Sequence, residues 1–151
     1  VGMVLPMFAD IRFAADTARF GTAFTKRGLV PEYGLAWLLP RLISPSKAFD
    51  LMYSARLVDA DEALAMGLVD RVYPTNELHG AVMDYAREMA KGVSPRSTRV
   101  VKELVYQGLD QGFDTAMGRS LDEMSEAAKS DDFREGIAAW KDKRAPDFTG
   151  T

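Results

Sequence analysis

Residues 2–8 are apolar on every side and give way at Asp10 to a short alternation, in which Ile11, Phe13 and Ala15 oppose Arg12 and Asp16. That pattern predicts a short buried helix, with Pro6 tolerated in its first turns, followed by a strand. Ala18-Arg19-Phe20-Gly21 predicts a second brief strand closed by a glycine. A helix that is apolar nearly all round is expected from Leu35 onward. Strands this short, separated by turns, suit a stacked βα spiral better than an open sheet of long strands.

The remainder reads as helical. Ser44-Pro45 sets a capping hydroxyl before a proline at the first helical position and predicts a helix over 46–53. Asp59-Ala60-Asp61-Glu62 has capping-box spacing, and Gly67 is placed to close that helix. A strand is expected over 68–73, ended by Pro74, and a helix over 77–91, ended by Gly92. Ser94-Pro95 repeats the cap-plus-proline device and opens a helix to Gly108. Phe113, Met117, Leu121, Met124 and Ala128 recur at helical spacing as one apolar stripe, opposite Asp and Glu. Ser130-Asp131-Asp132 caps a last helix carrying Phe133, Ile137 and Trp140 on one face, with Asp132 and Glu135 at capping-box separation.

Composition narrows the possibilities. At 151 residues, 47% hydrophobic and 27% charged, the chain has the makeup of one globular domain able to bury a core. A formal net charge of −3 argues against nucleic acid or an anionic membrane as the main partner. The absence of cysteine removes thiolate chemistry and suits a reducing cytoplasm. Asp10 and Arg12 interrupt the one apolar run near the start, and Val1-Gly2-Met3 lacks the basic region and cleavage signature of a targeting peptide. No metal-ligand or P-loop spacing is present. His79, the single histidine, has no triad partner nearby and is expected on the surface.

Candidate chemistry concentrates in Arg27-Gly28-Leu29-Val30-Pro31-Glu32-Tyr33-Gly34 and the helix after it. A small-residue turn delivers one carboxylate, Glu32, against apolar surface, where its charged form is disfavoured and proton transfer is favoured. Phe24, Tyr33 and Trp37 suit either an acyl pocket or the core.

Taken with Asp10-Ile11-Arg12-Phe13-Ala14 and Ala63-Leu64-Ala65-Met66-Gly67-Leu68-Val69, this segment resembles the crotonase family of acyl-CoA hydratases and isomerases along the whole chain. The resemblance is to the second half of such an enzyme. It implies an α/β fold: the C-terminal part of a crotonase-like βα spiral over 1–92, then oligomerisation helices over 93–151. It also implies a truncated or cleaved product, inactive by itself, whose intact form is a cytoplasmic homotrimer or hexamer. Coenzyme A enters as part of the substrate thioester, with no separate cofactor or metal and no nucleic-acid or membrane partner.

The family's spacing puts one backbone oxyanion donor at Val1 or Gly2, and the other ahead of residue 1. The two acids of the hydratases fall on Val4 and Phe24, neither of which transfers a proton. Glu32 instead matches the glutamate that the Δ3-Δ2-enoyl-CoA isomerases place on this loop. Phe24 and Trp37 are implied as acyl-binding. Trp140 and Lys143, in a closing segment that resembles the family's own, are implied to touch coenzyme A in a neighbouring subunit. A helix end complementing its own dipole accounts for Lys143 nearly as well. The rival reading is a degenerate, non-catalytic acyl-CoA-binding or assembly protein.

Overall fold

The structure, a computed structural model, describes residues 2–151. The chain divides into two compact units, Val1–Val82 and Met83–Thr151. Val1, expected as an oxyanion donor, lies outside the described residues.

The first unit opens on a single 3₁₀ turn, Leu5–Phe8. Val4 and Met7 are buried three residues apart, while Leu5 and Phe8 are exposed. The expected helix buried on every side is thus a one-faced turn. Pro6 supplies no N–H, and Ala9 is already extended, so the turn cannot lengthen into an α-helix.

Strand β1 (Phe13–Ala15) pairs in parallel with β4 (Arg71–Tyr73), Phe13 against Arg71 and Ala15 against Tyr73. Just ahead of that ladder, the Arg12 N–H donates to Asp70 Oδ2 at 2.7 Å and its Nε donates to the Leu68 carbonyl at 2.8 Å. Strand β2 (Arg19–Phe20) pairs antiparallel with β3 (Val58–Asp59).

Helix α1 (Leu35–Ile43) buries Leu35, Leu38, Leu39 and Ile43. Its other face, with Trp37 and Arg41, is exposed, so the helix is amphipathic rather than apolar all round. Arg41 lies 3.8 Å over the Trp37 ring, covering an aromatic that the core does not take.

Helix α2 (Pro45–Ser54) begins with Pro45 as expected, but Ser44 does not cap it. Ser44 has φ 81° and ψ 153° because one residue must turn the chain from α1 into α2, and its hydroxyl lies 3.4 Å from that of Ser46 instead of capping a backbone N–H. At α3 (Ala60–Met66) the local signals hold. Asp59 Oδ1 accepts from the Glu62 N–H at 2.9 Å, and Gly67 (φ 83°) ends the helix in the left-handed region. Glu62 does not complete a capping box; its carboxylate pairs with Arg56, which also holds Asp50. The core joins these elements, with Leu35, Leu39, Leu51 and Leu68 fully buried.

The second unit is helical: α4 (Leu78–Gly92), which begins in the first unit's sequence, then α5 (Pro95–Gly108), α6 (Phe113–Ala127) and α7 (Asp131–Asp142). Ser94 caps α5 by accepting from the Ser97 N–H, and Ser130 caps α7 from the Phe133 N–H. Among described residues 83–151, the buried hydrophobic side chains are Val100 and Ala139.

The supposed Asp132–Glu135 capping box is not formed. Asp132 is buried and accepts from Ser94 Oγ at 2.5 Å and from the Thr149 and Gly150 N–H groups. Glu135 takes Arg144 and the Asp147 N–H instead. Both carboxylates fasten the C-terminal tail.

Candidate active-site cleft

Thr22 and Thr25 fix the loop that carries the candidate chemistry. Thr22 Oγ1 donates to the Leu51 carbonyl at 2.7 Å and Thr25 Oγ1 to the Met52 carbonyl at 2.9 Å, using acceptors in the last turn of α2. Between them Phe24 starts a 3₁₀ turn, Thr25–Arg27, closed by Gly28 at φ 68°. The Leu29 N–H returns to the Phe24 carbonyl at 3.0 Å, so residues 24–29 form a closed loop.

Glu32 follows, immediately before Tyr33 (φ 53°) and Gly34 (φ 75°). Glycine accepts such a conformation freely, but for tyrosine it costs about 1–2 kcal/mol. These two left-handed residues aim the chain into α1, whose first N–H, from Leu35, donates to the Glu32 carbonyl at 3.1 Å.

Gly2, Val4, Phe24, Arg27, Leu29 and Glu32 line one cleft of about 330 Å3. The structure thereby brings together three of the predicted site residues: Glu32, Gly2 and Phe24. Trp37 is not part of the lining; it is half exposed beneath Arg41. Glu32 itself is exposed, not enclosed by apolar surface as expected, because it sits on the turn ahead of α1 while the leucines of that helix face the core. Val4 is buried.

Arg27 was overlooked as a cleft residue. Its signal was its spacing: on a 3₁₀ turn, a residue three positions after Phe24 shares its face.

Trp140 and Lys143 border a second, open depression of about 590 Å3 with Arg144. Lys143 ends α7 in the left-handed region at φ 53°, and Trp140 is 79% exposed. Arg144 is taken by Glu135, whose carboxyl it pulls down to about 2, aided by the Asp147 N–H. Hydrogen bonding from Ser94, with smaller help from the Gly150 and Thr149 N–H groups, likewise lowers the Asp132 carboxyl, against the opposing effect of burial. His79 is exposed on α4. Among the described residues no group of three or more His, Cys, Asp or Glu side chains is arranged to hold a metal ion, and no helix is long and apolar enough to cross a membrane.

The sequence profile of the enoyl-CoA hydratase/isomerase family matches residues 1–151. The chain belongs to that family. It is 34% identical over 149 residues to a protein of Rhodobacter capsulatus named "Probable enoyl-CoA hydratase", covering 99% of this chain and 58% of that one. It is also 34% identical over 148 residues to the crotonyl-CoA hydratase of Syntrophomonas wolfei, covering 97% and 56%. The crystal structure of enoyl-CoA hydratase from Bacillus anthracis superposes with a TM-score of 0.95 at 31% identity, covering 99% of this chain and 58% of that one.

The chain thus spans less than three-fifths of the length of these relatives. Its fold is that of the corresponding part of an enoyl-CoA hydratase, which bears out the expected crotonase-like second half with its C-terminal helices.

Proposed function

We propose that the protein acts on an enoyl-CoA or other acyl-CoA thioester, with Glu32 as its single acid/base. The observation that carries this is the shared cleft: within a chain of this family, Glu32 faces the same space as Gly2 and Phe24. The chemistry that fits one carboxylate is isomerisation of the acyl double bond. Glu32 takes a proton from the carbon next to the thioester carbonyl and returns it two carbons further along, as the double bond shifts. The negative charge that builds on the thioester oxygen in between is met by one backbone N–H, at Val1 or Gly2, together with a donor ahead of residue 1.

Hydration suits the site less well. The positions matching the hydratase acids hold Val4 and Phe24, leaving no second group to manage a water. In this reading coenzyme A is carried in as part of the substrate, and Phe24 bounds the acyl group. Trp37 joins it only if the side chain leaves Arg41.

Trp140 and Lys143 serve the coenzyme A of a neighbouring subunit in a cytoplasmic homotrimer or hexamer. An indole face stacks on adenine and an ammonium meets phosphate. The exposed stripe on α6 supplies apolar area for that association.

The test is Glu32→Gln, which keeps the shape and removes the proton acceptor. Isomerisation should fall by roughly 10²–10⁴-fold, with thioester binding retained; unchanged turnover would remove Glu32 from the mechanism. The loss of acids at positions 4 and 24 favours a second reading, a non-catalytic acyl-CoA-binding protein. Thioester binding without exchange of the α-proton into heavy water would select it.

A further inference from the structure

We propose that the cleft selects a thioester whose acyl part carries its own carboxylate, and that Arg27 is the residue that recognises it. The proposal rests on the cleft being the thioester site, and adds a substrate class to that reading.

Among the described residues, two charged ones line the cleft, Glu32 and Arg27. The first has the proton to move. The second is exposed at the cleft and has no part in that chemistry, and a hydrocarbon acyl chain offers its guanidinium no partner. Val4, Phe24 and Leu29 already supply the apolar walls that such a chain needs.

Other arginines of residues 2–82 are committed. Arg12 is bonded to the Leu68 and Ala9 carbonyls and paired with Asp70. Arg19 donates to the Ala18 carbonyl. Arg41 donates to the Trp37 carbonyl and covers its ring. Arg56 joins Asp50 and Glu62.

Among the described residues Arg27 makes no such bond. Its backbone, by contrast, is fixed: the Arg27 N–H donates to the Phe24 carbonyl at 2.9 Å, and the Gly28 N–H to that of Thr25 at 3.1 Å. The guanidinium therefore stands on a closed loop with its five donors free, and a planar carboxylate is the anion that its fork pairs in two parallel bonds. A helix dipole does not explain the cation, because a three-residue turn has almost none.

A phosphate of the coenzyme A portion would also attract Arg27, and the experiment separates the two sources. The protein is titrated calorimetrically with butyryl-CoA and glutaryl-CoA, which lack a double bond and so stay unreacted, and with the corresponding pantetheine thioesters, which carry no phosphate. The expected result is a preference for the glutaryl over the butyryl thioester of roughly ten- to a hundredfold, in both the CoA and the pantetheine series. Arg27→Gln should bring that ratio close to one, and Arg27→Lys should restore part of it by returning the charge without the fork.

Equal affinity of the unaltered protein for glutaryl and butyryl thioesters overturns the selection while leaving the cleft as the thioester site. A loss in Arg27→Gln that is the same for both CoA esters and absent from both pantetheine esters assigns the guanidinium to phosphate and overturns the proposal. Failure of all four ligands to bind overturns the cleft reading along with it.

Discussion

Each of the two units has its own means of internal stabilisation. In residues 2–82 the helices turn their large side chains inward, and Leu35, Leu39, Leu51 and Leu68 lose essentially all contact with water. In residues 83–151 the helices are equally regular, yet Phe113, Met117, Leu121 and Met124 on α6, and Phe133, Ile137 and Trp140 on α7, remain exposed. Beside Val100 and Ala139, what is buried there is polar: Asp132 and Ser94, joined to each other, with Asp132 also holding the tail. The first unit is stabilised by apolar burial of its own, whereas the second keeps its apolar surface outward and secures its chain end with carboxylates. A sequence stripe at helical spacing therefore tells which residues share a face, but not whether that face is satisfied within the chain.

The sharpest way to break this contrast is through the first unit's core. Leu39→Ala removes a side chain with no exposure and should lower unfolding free energy by about 2–5 kcal/mol, read by denaturant titration. If Leu121→Ala, on the exposed stripe, costs as much in the monomeric protein, the distinction between the units fails.

Leu121→Asp bears on association instead. Placed in the apolar stripe, the charge should weaken self-association by about 2 kcal/mol or more, seen as smaller particles in sedimentation with helical circular dichroism preserved. A fully assembled Leu121→Asp protein would mean that α6 is not the contact.

Asp132→Asn leaves size and shape but replaces a charged acceptor of three bonds with a neutral amide. The expected outcome is several-fold faster proteolysis and amide exchange at Thr149 and Gly150, with little change in the protection of α1. Uniform loss of protection would make Asp132 a determinant of the whole fold.

The smallest effect is a pH dependence. The Glu135 carboxyl titrates lower in the folded chain than in the unfolded one, so the stability it lends is complete above the ordinary carboxylate range. It is lost as pH falls from about 4.5 toward about 2. Glu135→Gln should flatten the acid limb of tail protection over that interval, and an unaltered limb would exclude Glu135 as its source.

Much of this architecture was legible because its determinants are local. The Asp59 cap, the Gly67 stop, the proline starts of α2 and α5 and the stripe on α6 each depend on residues within a turn or two of one another. Ser44 was misread because its sequence is that of a cap while its backbone conformation is set by the junction of two helices. Asp132 and Glu135 were misread for a related reason: their spacing matched a local motif, but their partners Thr149, Gly150 and Arg144 come from farther along the chain. The site followed the same division. Glu32 stood out as an acid on a small-residue turn, whereas the exposure of Trp37 and the free guanidinium of Arg27 depend on three-dimensional neighbours.

The parallel ladder between β1 and β4 has a kinetic consequence. It joins residues 58 positions apart, and at its head the Arg12 guanidinium pairs with Asp70 and donates to the Leu68 carbonyl. Closing so long a loop is entropically costly until the intervening helices have condensed, so the ladder is expected to form late in folding. Interactions made after the rate-limiting barrier slow unfolding without hastening folding. Arg12→Ala should accordingly steepen the escape from the native state in an unfolding time course and leave the refolding limb almost where it was. The arginine that stitches the two strands then acts as a brake on the lifetime of the folded chain.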